Sequence, residues 1–552
     1  MFSRQLIRNT GIQGRRLLSS SKPVFNKIAS SPAAAKQPKK AGFLRWTWRA
    51  TLAAAFAGVG YLTYEVYRET NPSKQTPQTE LKPNGNKKKT VVILGSGWGA
   101  ISTLKDLDTT QYNVIIVSPR NYFLFTPLLP SVPTGTVDVK SISDPVRSIA
   151  AQTPGEVKYF EAAAKDIDPV KKEIVIEHKS QRLHLGDAFT TESSDPIQTT
   201  INYDYLVYAV GATVNTFGIQ GIPEYASFLK EANDATAVRA KLFNAIEASR
   251  LLPEGSAERK RLLNVVVCGG GPTGVELAAE IKDFIDQDLS KVIPGIENEM
   301  TVSLVEAMPN VLNMFDAKLI QYTKDTFKHM NIDLRTNTMV KKVDLKNVYA
   351  SAKAADGTTS DIVIPYGTLV WAGGNTQREI TKVLSSKVVE QQTARRGLLV
   401  DDFMKLFGDD SIYALGDCTF TKNVPTAQVA HQQGHFLATH LNKLAKIDDL
   451  EYQRENSDSE KADKLSRRII KMKENLKPFV YQHQGSMAYI GDERAIADLT
   501  FGNWSSISWG GEFTFLFWKI AYVKMMMGTR NRILVSMDWL KSSLFGRDSS
   551  KE

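Results

Sequence analysis

Short apolar runs ended by glycine occur at two places along the chain. Val91-Val92-Ile93-Leu94 leads into Gly95-Ser96-Gly97-Trp98-Gly99-Ala100, and Val265-Val266-Val267-Cys268 leads into Gly269-Gly270-Gly271-Pro272-Thr273-Gly274. Such runs read as buried strands entering tight turns. A helix-like stretch follows each turn, at 101–107 and 275–280. Further apolar strand candidates lie at 113–117 and at 301–305, with another at 412–415. Segments 205–211 and 369–374 repeat one pattern, a strand closing on small residues, before and after the second unit. Near the other end, 513–527 is almost wholly apolar but holds Lys519 and Lys524. It is too short and too charged to span a bilayer.

The glycines have separable tasks. In the first unit Gly95 permits the tight turn, Gly97 lets the backbone approach a pyrophosphate, and Ala100 allows close helix–strand packing. The helix N-terminus stabilises the negative charge. The second unit is a full GxGxxG, and its next strand ends in Glu306, where a carboxylate accepts hydrogen bonds from NAD ribose hydroxyls and repels the 2′-phosphate of NADP. Preference for NADH is therefore expected. Glu306 stands 32 residues beyond Gly274, against a usual interval of about 20, and the polar stretch 286–299 reads as an insertion that accounts for this. The first unit has Ser118-Pro119-Arg120 where the acid belongs. Arg120 is left with two roles, contacting phosphate or stacking on adenine.

One flavin site and one pyridine nucleotide site let a hydride pass from nicotinamide to flavin. The expected fold is α/β, with two Rossmann-type dinucleotide-binding domains, the NADH domain inserted in the FAD domain, and a C-terminal membrane-anchoring region.

Composition narrows the alternatives. The net charge of the 552 residues is +10, yet residues 1–64 hold eleven Lys or Arg and no acid, leaving the remainder near −1. A nucleic-acid-binding reading loses its support. The arginines Arg4, Arg8, Arg15 and Arg16 among Ser, Ile and Leu have the composition of a mitochondrial transit peptide. The apolar stretch 43–64, flanked by Trp46, Trp48, Tyr61 and Tyr64, reads as a sorting or anchor segment. The basic side of a span stays in the matrix, which would put the folded part in the intermembrane space. Two cysteines, Cys268 and Cys418, and seven scattered histidines offer no metal-ligand cluster.

With these motifs in hand, residues 90–552 resemble the type II NADH:quinone oxidoreductases, non-proton-pumping flavoenzymes of fungal and plant mitochondria and of bacteria. The resemblance rests on the two glycine turns, on Phe123-Leu124-Phe125-Thr126-Pro127-Leu128-Leu129-Pro130, on Tyr413-Ala414-Leu415-Gly416-Asp417, and on Pro425-Thr426-Ala427-Gln428-Val429-Ala430-His431-Gln432. The leader plus apolar segment is similar to the external fungal members. The resemblance implies non-covalent FAD on Gly95, Ser96, Gly97, Trp98, Gly99, Ala100, Pro119, Arg120, Thr126, Pro127, Gly211, Gly416, Asp417 and Gln428. It implies NADH on Gly269, Gly270, Gly271, Pro272, Thr273, Gly274, Val275, Glu276, Glu306, Gly373 and Gly374. Asp417 would accept a bond from a ribitol hydroxyl. Gln428 and Gln432, with His431 and Tyr489 beside them, would form the flavin and quinone neighbourhood, and Glu276 would lie near the nicotinamide. Ubiquinone is the implied acceptor, inner-membrane lipid and a second copy of the chain the implied partners.

Related disulfide reductases and sulfide:quinone oxidoreductases need catalytic cysteines, which sequence neighbours cannot supply here. A flavin reductase with a soluble acceptor and an interaction protein resembling apoptosis-inducing factor remain the alternatives. The partition expected is a transit peptide at 1–42, an anchor segment at 43–67, a linker at 68–89, the FAD domain at 90–230 and 376–480, the NADH domain at 231–375, and a membrane-anchoring and dimerisation region at 481–552. Residues 451–477 read as an exposed helical insertion, and 513–527 with its basic neighbours as a helix lying in a membrane interface.

Overall fold

The computed structural model describes residues 56–178, 196–354, 356–499 and 507–550. The transit-peptide reading and the Trp46 and Trp48 flanks fall outside them. The chain divides into two units at Tyr61 and Leu62. Of the first, residues 56–61 are described, all exposed and helical. Among the described residues no helix is long and apolar enough to cross a membrane. Everything below concerns the second unit.

Its centre is a parallel five-stranded sheet in the order Ile412–Ala414, Tyr205–Tyr208, Thr90–Leu94, Asn113–Ser118, Val157–Glu161. The valine and isoleucine runs occupy the middle strands because those are buried on both faces. Helix α1, Trp98–Asp106, crosses over from the first strand to the next. A second parallel sheet runs Ser227–Phe228, Thr368–Trp371, Asn264–Cys268, Thr301–Val305, Asp333–Arg335, with α2, Pro272–Phe284, as its crossover. Each sheet is accompanied by an antiparallel three-stranded meander inserted before its return strand: Ala163–Asp168, Glu173–His178 and Ile197–Asn202 in the first, Thr338–Val343, Asn347–Lys353 and Thr359–Pro365 in the second. The chain leaves the first sheet through Ala212–Val214 and returns through Asn375–Gln377, and these two crossings pair antiparallel.

The stretch 286–299 is helical, a π-turn at Ile285–Leu289 followed by Ser290–Val292 and Ile296–Glu299. The added length before Glu306 thus extends α2. Helix α3, Ala427–Glu455, opens on a Thr426 side-chain cap and crosses α1 at glycines: a Cβ on Gly434 would meet the Gly99 carbonyl at 2.4 Å. The charged insertion is the rest of α3 with a second helix, Ser459–Glu474, joined through Ile447, Leu450 and Ile469. Segment 71–89, linker-like in composition, lies hydrogen-bonded along the first sheet. Gln75 Nε2 donates to the Ala150 carbonyl at 2.8 Å and Gln78 Nε2 to that of Val114 at 2.9 Å. Amide side chains serve as backbone surrogates there.

The C-terminal part is a three-stranded sheet, Ser486–Gly491, Arg494–Leu499 and Ile507–Gly511, then α4, Glu512–Met525, and α5, Thr529–Phe545. The N-terminus of α5 is closed by Glu69, whose carboxylate accepts the Thr529 and Arg530 N–H groups.

Candidate functional site

Both glycine turns sit at the carboxyl ends of central strands, where open parallel sheets bind ligands. Gly95 has φ +113, and a Cβ there would meet the Ala209 carbonyl at 2.4 Å. Gly269 has φ +121, and a Cβ on Gly274 would meet its carbonyl at 1.9 Å. The protein itself requires these glycines. The middle glycines differ. Among the described residues, a Cβ on Gly97 has only Arg120 Nη2 within 4 Å, at 3.9 Å, and one on Gly271 meets nothing. Each is the N-cap of its helix. A side chain there would obstruct a ligand approaching the helix N-terminus, which is the fit expected for a pyrophosphate.

In the second unit Glu306 ends its strand with both oxygens engaged. Oε2 accepts the Gly270 N–H at 2.5 Å and Oε1 that of Met308 at 2.7 Å. The acid is thereby held beside the turn. Gly373 and Gly374 lie across the turn, since Gly269 would contact Ala372 and Gly373. Pro272 supplies the first helical residue of α2, where its missing N–H costs nothing, and Thr273 and Val275 follow in that first turn.

The first unit gathers more side chains. Trp98 Nε1 donates to Thr126 Oγ1 at 3.0 Å, at the start of the tight helical segment Thr126–Ser131 that contains Pro127. His431 Nδ1 and Ser102 Oγ lie 2.6 Å apart, and its ring meets Trp98 edge-on. Ser96 Oγ donates to the Tyr122 carbonyl, and Pro119 is exposed at the strand end. Gly211 has φ +66 and open space beside it. Gly416 N–H donates to Gln433 Oε1 at 2.8 Å, while Gln433 Nε2 is buried without a partner among the described residues. An orphaned buried amide is costly, and its place beside Asp417 fits an oxygen-bearing ligand such as FAD. Burial raises the Asp417 carboxyl above its usual range, while Lys230 Nζ at 4.0 Å opposes the rise.

Gln428 and Gln432 share one face of α3, but their amides are turned to a neighbouring segment. Gln432 exchanges two bonds with the Gln482 backbone, at 2.8 and 3.0 Å, and Gln428 Oε1 accepts from Tyr481 Oη and the Gln484 N–H. Glu276 is 6% exposed and accepts the Tyr489 N–H at 3.0 Å. Burial pushes its carboxyl up to about 8. Tyr489 Oη donates to Asp283, itself raised to about 7 by burial.

Several residues here carry no local sequence signal. Glu280 receives Ser131 and Thr136, each at 2.7 Å. Arg547, beyond α5, packs between Glu280 at 3.8 Å and Asp288 at 2.8 Å. Glu231 bridges Arg120 at 2.6 Å and Arg378 at 3.3 Å. Only Glu231 could have been suspected, because Glu231 and Asp234 have capping-box spacing. Both thiols are buried, which raises them to about 12. Neither has the thiolate character of a redox cysteine.

A family model described as pyridine nucleotide-disulphide oxidoreductase matches residues 89–434, and one described as the NDH2 C-terminal domain matches 483–548. The chain is 48% identical to the external NADH-ubiquinone oxidoreductase 2 of Saccharomyces cerevisiae mitochondria, over 97% of each chain. The chain belongs to the type II NADH:quinone oxidoreductases. It is also 47% identical to the external alternative NADH-ubiquinone oxidoreductase of Yarrowia lipolytica, over 93% of this chain and 88% of that one. The solved NDH2 of Plasmodium falciparum in complex with NADH superimposes with a TM-score of 0.71 at 27% identity, covering 84% of this chain and 99% of that one. As a type II enzyme the chain is a mitochondrial FAD-dependent NADH:quinone reductase.

Glu306→Ser in this type II enzyme is expected to narrow the ratio of kcat/KM for NADH over NADPH by at least about tenfold, since the acid that opposes a 2′-phosphate is gone. Steady-state kinetics with both nucleotides measure it, and an unchanged ratio removes Glu306 from ribose recognition.

Proposed function

We propose that the enzyme oxidises NADH from the intermembrane-space side of the inner membrane and reduces ubiquinone without moving protons across it. When bound, FAD supplies the hydride acceptor and the relay to quinone. The chain positions both nucleotides and keeps water away. Gly95, Gly97 and Ala100 with α1 hold the flavin nucleotide, and Thr126, Pro127, Gly416, Asp417 and the Gln433 amide border its flavin end. Gly269, Gly271 and Gly274 with α2 hold NADH, with Glu306 on its ribose and Glu276 near the nicotinamide. Gln428 and Gln432 fix the segment 481–485, which with His431 and Tyr489 borders the quinone position.

The observation that carries the membrane reading is the exposed face of α4 and α5. Phe513, Leu516, Phe517 and Ile520 recur at helical spacing, as do Met537, Leu540 and Leu544, with Phe513 92% and Phe545 84% exposed. The opposite side of α4 buries Thr514, Trp518 and Tyr522 against the body. Lys524, Arg530, Arg532 and Lys541 add positive charge, suiting an anionic lipid surface. A second copy of the chain shares that region in the dimer we propose. External orientation draws support from the basic leader ahead of 43–64 and from relatives named external.

NADH added to intact mitochondria, whose inner membrane it does not cross, tests reaction and side together. A protein-dependent, quinone-dependent oxygen uptake is expected. A rate appearing only after permeabilisation would place the enzyme in the matrix, and no rate in either preparation would remove the quinone assignment. Gln428→Leu is expected to lower quinone reduction about tenfold while an artificial acceptor loses less than twofold, because the 481–485 segment loses its anchor. Equal losses in the two assays would move the role of Gln428 elsewhere.

A further inference from the structure

The first nucleotide turn lacks the strand-end acid, and the structure shows what stands there instead. Arg120 Nε donates to Ser96 Oγ inside the turn at 3.2 Å, and its Nη2 is the one protein atom within 4 Å of the open side of Gly97. Arg378 reaches the same crevice from the return crossing, its Nε donating to the Val210 carbonyl at 2.9 Å, next to Gly211. Strand Tyr205–Tyr208 neighbours Thr90–Leu94, so the two arginines flank the carboxyl ends of adjacent parallel strands. Glu231 joins them, 2.6 Å from Arg120 Nη1 and 3.3 Å from Arg378 Nη2. Its backbone is itself fixed at the start of the helix Ala232–Arg250, since its N–H donates to the Asp234 carboxylate at 2.8 Å.

We propose that Arg120 and Arg378 form a two-arginine clamp on the diphosphate of FAD, with Glu231 as the positioning residue that presents both guanidiniums to the turn. The proposal rests on reading the first turn as the FAD site. One carboxylate against two guanidiniums leaves a net positive charge facing Gly97, and guanidinium forks match phosphate oxygens. The clamp takes the place of the strand-end acid: affinity comes from the diphosphate rather than from the ribose. It also spans the junction between the nested sheets. Glu231 opens the first long helix of the insert, and Arg378 follows its last crossing strand.

The test is the FAD affinity of the full-length apoprotein, read by flavin fluorescence anisotropy, with the apoprotein melting temperature alongside. Glu231→Gln removes the charge and leaves the helix cap, which the Asp234 carboxylate makes with the Lys230 and Glu231 N–H groups, so its melting temperature is expected to stay within about 2 °C of wild type. Arg120→Met and Arg378→Met are each expected to weaken FAD about tenfold or more, and Glu231→Gln about fivefold. In the Arg120→Met/Arg378→Met background, Glu231→Gln is expected to cost nothing further, because it acts through those side chains. An equal cost in both backgrounds, or no cost in either, overturns the positioning role. Unchanged FAD affinity in both single arginine variants overturns the clamp. Failure of the wild-type chain to bind FAD would overturn the flavin assignment itself, which is a separate result.

Discussion

Gly271→Val is expected to raise KM for NADH by about a hundredfold while the melting temperature stays close to that of the unmodified enzyme. The backbone at Gly271 is ordinary extended chain, φ −74 and ψ 175, which valine adopts without strain. A Cβ there meets no protein atom within 4 Å. The fold therefore leaves room for the first carbon of a side chain. The dinucleotide does not, because its pyrophosphate must reach the N–H groups at the start of α2, and displacing a doubly charged group from that contact costs about 3 kcal/mol. NADH titration and thermal melting together decide the matter. An unchanged KM would take the pyrophosphate away from this turn, and a large fall in melting temperature would make the glycine structural. Gly274 is the control: its Cβ would lie 1.9 Å from the Gly269 carbonyl, so alanine there should damage the fold itself.

Glu276→Gln is expected to flatten the pH dependence of stability. The native carboxyl titrates at about 8 because it is buried, against about 4.3 in an unfolded chain. Between those values the native state retains a proton that the unfolded state has released. Stability therefore falls as pH rises through that window, by up to about 1.4 kcal/mol per unit, and levels off above pH 8. Glutamine mimics the protonated acid and can still accept the Tyr489 N–H, so the variant should gain on the wild type by several kcal/mol between pH 5 and pH 9. Asp283, raised to about 7, leaves some slope in both proteins. Urea midpoints at the two pH values measure the difference, and parallel behaviour would mean that Glu276 ionises freely in the native state.

What the sequence disclosed and what it withheld follow a physical line. Each strand–turn–helix unit is local: β-branched residues, glycines at fixed offsets and helical spacing all lie within one stretch of chain, and Glu306 ends the strand paired beside the turn. Both glycine turns were therefore legible, as was the apolar character of α4. The charge partners were not. Glu231 and Arg378 meet only because Ala212–Val214 and Asn375–Gln377 pair, and Arg547 meets Glu280 and Asp288 only because the chain beyond α5 runs beside α2 and its π-turn. Burial of Glu276 likewise depends on the strand carrying Tyr489, far along the chain. Gln428 and Gln432 were placed correctly on one helix face, yet their partner segment 481–485 follows an insertion whose length the spacing of residues does not reveal.

The nesting of one sheet within the other constrains the order in which the polypeptide folds. Strands from Ser227–Phe228 to Thr368–Trp371 are contiguous in sequence, so the inner sheet can condense as soon as they emerge. The outer sheet needs Ile412–Ala414 beside Tyr205–Tyr208, with the whole insert between them. Until then Tyr205–Tyr208, buried and apolar in the finished protein, is an open sheet edge. A folded insert brings its own ends together as a short staple, which removes most of the loop-closure entropy otherwise opposing that last strand. The unit that begins first in the sequence is thus completed last, and chains truncated before Ile412 should be the ones that recruit chaperones.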